Sequence, residues 1–274
     1  MAAEHVLDKS LVRPSQPLSI LVIGAGGNGS AVFLHLPYLH QALLAWGCGG
    51  LQVTLADGDP VSESNCVRQP FAAADIGLNK ATVLVNRVNL FWGLYWQAYP
   101  HHFRKDSLKD DSSYPHLIIS CVDTRAARQA VAQTVTRARS HTAYWLDLGN
   151  NAASGQYILG QPLNQRNRRI GSRLRTVAEL YPEIMAAEIG EDPLPSCSAV
   201  EALERQEPYI NHVLATSSLA MLARLFRYGT IAHHGAFYNA ATGRMSAIPI
   251  DPELWRKTRR RSLRLLKSQG QQVA

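Results

Sequence analysis

The chain has 274 residues, of which 46% are apolar and 18% charged. This composition supplies a full core and excludes a disordered, collagenous or coiled-coil protein, and the length suits one large domain or two small ones. The net charge of +7 sits in the tail: from Arg256 onward there are seven cations and no acid, and the remainder balances at 21 against 21, so the basic pI does not describe the body of the protein.

Residues 1–17 are polar, contain two prolines and read as an N-terminal arm. Leu18–Ile23 is a short apolar run before Gly24 and predicts a buried parallel strand. Ser30–Trp46 is too long for a strand and predicts a helix, with Pro37 expected to kink or break it. Leu51–Ala56 is a second strand ending at Asp57, followed by a turn-rich loop to Asn79. Lys80 opens a helix in which Leu84, Val88 and Phe91 recur at helical spacing. Leu117–Val122 is a third strand, ending at Asp123. Thr124–Arg139 is an amphipathic helix with Ala127, Ala130, Val131 and Val135 inward. Tyr144–Leu148 and Gln156–Leu159 are further strands. Residues 161–208 carry five prolines without a clean period, as functional or disordered segments do. Ile210–Phe226 is an amphipathic helix, and Phe237–Ala240 with Met245–Ile250 flanks a hairpin turn at Thr242-Gly243.

Strands alternating with helices predict an α/β fold: a Rossmann-like, doubly wound, mostly parallel sheet with a C-terminal antiparallel extension. No apolar run approaches the ~20 residues that span a bilayer, and the N-terminus lacks a signal-peptide core. The four cysteines form no CxxC pair, which argues against a disulfide framework and a cysteine-bound zinc. The expected protein is cytoplasmic and reduced, without a membrane partner.

The chemistry concentrates where strands end. Gly24-Ala-Gly26-Gly27-Asn-Gly29 follows a strand and opens a helix, the arrangement that brings backbone N–H groups to a phosphate. Asp57 is placed to accept a ribose hydroxyl pair, which suits NAD and ATP equally, with Asp59 either supporting it or serving as a turn acid. Asn65, Arg68 and Lys80 follow. A lysine at a helix N-terminus opposes the macrodipole, so Lys80 is expected to serve something other than its helix. Two cations beside a glycine loop suit a triphosphate and charge building at phosphorus. Asp123 at a strand end suits Mg²⁺, or else caps the helix from Thr124. The pairs His101-His102 and His233-His234 alternate faces and predict no shared metal.

The ordered set GxGGxG, Asp57-x-Asp59, Asn65-x-x-Arg68-Gln69, Lys80 and Cys121-Val-Asp123 resembles the ThiF/MoeB/HesA family, the adenylating core shared with ubiquitin-activating enzymes. The short chain and Pro195-Ser-Cys197…Asn211 look most like the ThiF-type component of the PRTRC cassette. The resemblance implies an adenylation domain over about residues 18–250, with a nucleotide-binding half to about residue 150 and a partner-binding half beyond it that includes the crossover loop 161–208; the charge count sets residues 251–274 apart as a basic tail. The resemblance implies ATP at Gly24, Gly26, Gly27, Gly29 and Asp57, phosphate contacts from Asn65, Arg68 and Lys80, and Mg²⁺ on Asp123. It also implies a small β-grasp, ubiquitin-like protein partner, a homodimer, and Cys197 as a candidate conjugating cysteine. The zinc-binding CxxC pairs common in the family are absent, so no zinc is expected. A nicotinamide-dependent oxidoreductase and a non-catalytic assembly subunit are the rival readings. The tail from Arg256 to Lys267 reads as a solvated helix or as a surface for an anionic partner or nucleic acid.

Overall fold

The computed structural model describes residues 3–108, 114–185, 207 and 209–270. Its frame is an eight-stranded sheet built from β2 (Leu18–Ile23), β3 (Leu51–Ala56), β4 (Gln97–Tyr99), β5 (Leu117–Ser120), β6 (Tyr144–Asn150), β7 (Ser154–Gly160), β9 (His233–Asn239) and β10 (Arg244–Pro249). The spatial order is β10-β9-β7-β6-β5-β2-β3-β4. The five strands from β6 to β4 are parallel; β7, β9 and β10 add an antiparallel extension. This is the expected α/β fold. The central strands β2 and β5 read as near-continuous apolar runs because both faces are covered, as in LSILVI of β2, where five of six residues are buried; β3, LQVTLA, alternates instead, with Gln52 exposed and Thr54 half-buried.

β2 connects to β3 through α1 (Gly27–Ala45), and β5 connects to β6 through α4 (Arg125–Val135). The two crossovers run in opposite directions along the sheet, so right-handed connections put their helices on opposite faces. α1 packs on α6 (Ile210–Tyr228) and on α3 (Lys80–Trp92). The other layer holds α4, the short α5 (Val177–Leu180), a 3₁₀ turn at Pro182–Met185 and α7 (Pro252–Gly270).

Several local expectations change. α1 runs through Pro37 without ending there. The proline removes one hydrogen bond, but Phe33, Leu36 and Leu39 on either side are buried, so packing holds the helix across the gap. In α3, Phe91 is 82% exposed, and Trp92 takes the inward position one residue later. β5 stops at Ser120, and β4 lies in a stretch whose short, half-exposed strand gives no alternation to read. Residues 161–185 pack through polar as well as apolar side chains: Leu174, Val177 and Leu180 are buried in the core, Asn164 donates to the Thr142 carbonyl (2.9 Å), Asn167 to the Ala143 carbonyl (3.1 Å), and Arg173 pairs with Glu179 (2.6 Å). Cys197 lies outside the described residues.

The N-terminal segment is anchored. β1 (His5–Val6) pairs with β8 (Thr230–Ile231), and Leu7 and Leu11 are buried. The His5 ring lies 2.8 Å from the Tyr144 hydroxyl, and Asp8 pairs with Arg166 at 2.9 Å. His234 is fully buried, with Nδ1 on the Leu159 carbonyl at 2.8 Å and its ring against Trp255. Burial pushes His5 and His234 from 6.5 down to about 4. Unfolded, both take up protons near pH 6.5; folded, they resist until about pH 4. Stability is therefore complete above pH 6.5 and falls as pH drops through that window, by on the order of 3 kcal/mol per histidine across it. Urea midpoints should fall measurably between pH 7 and 5.5, before most carboxylates titrate; a flat profile there would contradict buried neutral histidines.

Candidate nucleotide site

Parallel register brings three strand ends to one level. Ile23 pairs with Ala56 on one side and with Ser120 on the other. Gly24, Asp57 and Cys121 therefore emerge together, and β2 is the strand at which the winding reverses. Ligands of open α/β sheets bind in that crevice. The Gly24 N–H donates to the Ala56 carbonyl (2.8 Å), and the Cys121 N–H donates to the Ile23 carbonyl (2.8 Å).

The glycine loop turns sharply into α1. Gly24 has φ +93° and its missing Cβ would face the Cys121 carbonyl oxygen at 2.8 Å. A Cβ on Gly29 would overlap the Gly24 carbonyl oxygen, so the first helical turn closes on the strand end only with glycine there. Gly26 is different: nothing lies within 4 Å of where its Cβ would be. Gly26 is also the N-cap of α1, whose first turn receives no side-chain cap. Uncapped N–H groups at a helix start beside open space fit a phosphate.

Asp57 grips this loop. Its Oδ2 accepts from the Ala25 N–H (2.5 Å) and its Oδ1 from the Asp59 N–H (2.8 Å). Burial raises the Asp57 carboxyl above its ordinary range, opposed by those two N–H groups and by Lys80. Asn79 caps α3 by accepting from the Thr82 N–H, and its amide donates to the Asp57 carbonyl (2.9 Å). Lys80, the first residue of α3, is buried to 8% exposure, and its Nζ reaches Asp59 at 3.4 Å. Asp59 is thus the partner of a buried cation rather than a bare turn acid. His102 lies 3.8 Å from the other Asp59 oxygen.

Behind the glycine loop, Asn28 donates to Asn150 (2.9 Å), while its own Oδ1 is buried with no hydrogen-bond partner among the described residues. Asn211 of α6 fills the space a Gly27 side chain would need. On the β5 side, Asp123 is exposed. It does not cap α4: Thr124 does, accepting from the Ala127 N–H at 3.2 Å. Its loop is held from below by Arg128, which donates to the Val122 carbonyl (2.8 Å) and pairs with Asp147 (3.1 Å).

A profile of the ThiF family matches residues 11–166, from before β2 to beyond β7. The chain belongs to the ThiF family. A search of curated proteins finds no match. Among solved structures, a selenomethionine crystal structure of PaaA matches with TM-score 0.57 and 14% identity over 87% of this chain and 65% of that one. Escherichia coli MccB with MccA-N7isoASN matches with TM-score 0.55 and 15% identity, over 85% and 64% respectively. E. coli tRNA N6-threonylcarbamoyladenosine dehydratase, TcdA, gives 23% identity and TM-score 0.41 over 53% of this chain and 57% of that one. The PaaA and MccB structures share the fold, and the chain spans just under two thirds of the length of each.

Of the residues singled out from sequence, the glycines, Asp57, Asp59 and Lys80 converge in this ThiF domain through direct hydrogen bonds or backbone contact. Asn65 and Arg68 form the ends of the one-turn helix α2 (Asn65–Arg68). Asn65 accepts from the Ser62 N–H (2.9 Å) and so shapes its own loop; burial lowers the Arg68 guanidinium pKa. Asn28, Asn79, Asn150 and Arg128 were not marked by sequence pattern. Asn79 alone had a readable signal, as a cap residue directly before an apolar-periodic run. Among the described residues, no helix is long and apolar enough to cross a membrane, and no cluster of three metal-ligating side chains occurs.

Proposed function

We propose that this ThiF domain adenylates the C-terminal carboxylate of a small ubiquitin-like, β-grasp protein with ATP as co-substrate. The observation that carries the reading is Lys80: a buried cation at a helix start, tied to Asp59 and adjoining the Asp57 clamp on the glycine loop. A nicotinamide oxidoreductase has no use for it. A nucleoside triphosphate does, since charge must be balanced while phosphorus is displaced.

In this reading α1 and the glycine loop seat phosphates, and Asp57 has lone pairs left for a ribose hydroxyl after holding Ala25 and Asp59. The incoming carboxylate oxygen forms a bond to the α-phosphorus, the bond to the β-phosphate oxygen breaks, and pyrophosphate leaves with its electrons. No side-chain base is required, because the nucleophile is already an anion; Lys80 and Arg68 counter the added charge. Mg²⁺ fits the donor set, since it takes one or two protein carboxylates plus phosphate oxygens, and Asp123 is the exposed carboxylate at the strand end. Bound there, it would neutralise phosphate charge. Cys197 is the acceptor in an optional second step, its thiolate displacing AMP from the acyl carbon. The PRTRC-type likeness and the homodimer belong to the same reading.

ATP–pyrophosphate exchange, with each candidate β-grasp protein supplied in turn, tests it. Exchange that depends on one partner's terminal carboxylate is the expected result. ATP binding without exchange by any partner would favour a non-catalytic assembly subunit. NADH binding without ATP binding would overturn the reading.

A further inference from the structure

The seven tail cations lie on an ordered helix. α7 spans Pro252–Gly270, docked by Trp255 and Ser262, which are 6% and 2% exposed, against α5 and the turn at Pro182–Met185. The Trp255 indole N–H donates to the Pro249 carbonyl (3.2 Å) and its ring stacks edge-on against His234. Docking fixes the rotation of the helix and therefore where its charges point. At 3.6 residues per turn, Arg256, Lys257, Arg260, Arg264 and Lys267 fall within about a 100° sector opposite Trp255, with Arg259 and Arg261 on the flanks. All seven are exposed. Among the described residues, the carboxylate that answers this stripe is Glu253, 3.7 Å from Arg256.

Like charges at i, i+3 and i, i+4 repel and weaken a helix. Here they are concentrated on the solvent side of a helix that Trp255 already docks to the body, and among the described residues no carboxylate beyond Glu253 pairs with them. An external polyanion would. From Arg256 to Lys267 the stripe is about 16 Å long. Along one strand of duplex DNA a charge recurs about every 3.4 Å of axis, so five cations face about five phosphates. Five of the seven are arginine, whose planar fork pairs with phosphate oxygens bidentately.

The same face argues against other occupants. The aromatic residue of α7, Trp255, points inward, so the outer face has no platform on which single-stranded bases stack. Between Arg256 and Lys267 the neutral polar residues Thr258 and Ser262 are half-buried and buried, leaving no neutral donor or acceptor side chain for ribose 2′-hydroxyls. A membrane-surface helix needs a free apolar face. Here that face is docked, and the exposed Leu254, Leu263 and Leu265 are divided between the two flanks of the cation stripe.

We propose that the outer face of α7 binds the phosphate backbone of duplex DNA independently of sequence. This surface is separate from the nucleotide crevice and does not rest on the adenylation reading.

The test is fluorescence anisotropy of the full chain with two labelled 24-base-pair duplexes of unrelated sequence, at several salt concentrations. Equal affinity for both is expected, with log K falling against log salt at a slope of about −4 to −5. The variant Arg260→Gln/Arg264→Gln/Lys267→Gln replaces solvent-facing charges only; its circular dichroism spectrum should match the parent. It should bind roughly a hundredfold more weakly at 50 mM salt, with the slope reduced to about −2. An unchanged affinity and slope in the variant would overturn the proposal. So would tighter binding of the parent to an RNA duplex, to polyglutamate or to phosphatidylserine vesicles than to DNA.

Discussion

Lys80→Ala is expected to lower ATP–pyrophosphate exchange by roughly a hundredfold or more while leaving the fold intact. A single preorganised donor aimed at developing charge contributes about 10²–10³ in rate. Lys80 has the required preorganisation: α3 begins at it, Asn79 fixes that helix start, and its stem is buried with the Nζ tethered to Asp59. The stability cost is small because the abandoned partner is half-exposed: the Asp59 side chain retains 53% of its accessibility and water takes over its charge. The melting temperature should therefore shift by only a few degrees. Charge that develops during displacement matters more than charge already present on bound nucleotide, so the maximal rate should fall further than ATP affinity. Lys80→Arg should recover part of the rate, since it restores the cation without the fit. Full exchange in Lys80→Ala would remove the observation on which the proposed function stands.

The sheet was legible because a parallel strand covered on both faces writes itself as a nearly continuous apolar run, as in β2 and β5, while β3 shows the apolar alternation of a strand with one outer face. The winding made the crevice legible too: once Gly24, Asp57 and Asp123 followed predicted strand ends, one end of one sheet had to gather them. Less legible was anything set by tertiary packing. Pro37 reads as a break because its own hydrogen-bond deficit is local, while the burial of Phe33 and Leu36 that overrides it is not. Phe91 fits the period of its helix but falls beyond the surface that the helix covers. The stretch 161–185 has no period because its few apolar anchors, Leu174, Val177 and Leu180, are joined by polar ones, Asn164, Asn167 and Arg173, each spent on a specific backbone carbonyl or carboxylate. Asp123 follows the end of β5 and is exposed, but its neighbour Thr124 has the geometry that caps the helix. The tail was legible as charge and as a helix; its direction became visible only with Trp255 in place.

Arg128 and Asp147 show how that buried layer reaches the site, and their separation should produce the largest loss of stability in the molecule. Both are buried, at 7% and 0% exposure. Asp147 Oδ1 accepts from Arg128 (3.1 Å) and from the Ser120 hydroxyl (2.6 Å), and Ser120 in turn accepts from the Trp145 indole N–H (2.7 Å). Asp147 Oδ2 has no hydrogen-bond partner among the described residues, so the arginine carries the compensation. Arg128→Met strands a buried carboxylate and should cost about 3–5 kcal/mol in urea unfolding at pH 7.5. Adding Asp147→Asn removes the stranded charge while keeping an acceptor for Ser120, so the double variant should be more stable than Arg128→Met alone. Simple additivity of the two losses would refute the coupling. The pH dependence has a definite sign. Burial already raises the Asp147 carboxyl, with Arg128 and Ser120 opposing it. Without the arginine it rises further, so over the range between its unfolded and folded values the folded state binds more proton than the unfolded state. The deficit relative to the parent should therefore shrink as pH falls from 7.5 toward 5.5. The arginine also holds the Val122 carbonyl, one residue before Asp123. Arg128→Met should thus weaken Mg²⁺-dependent ATP binding although no crevice side chain has been changed, because the loop that presents Asp123 has lost its tether.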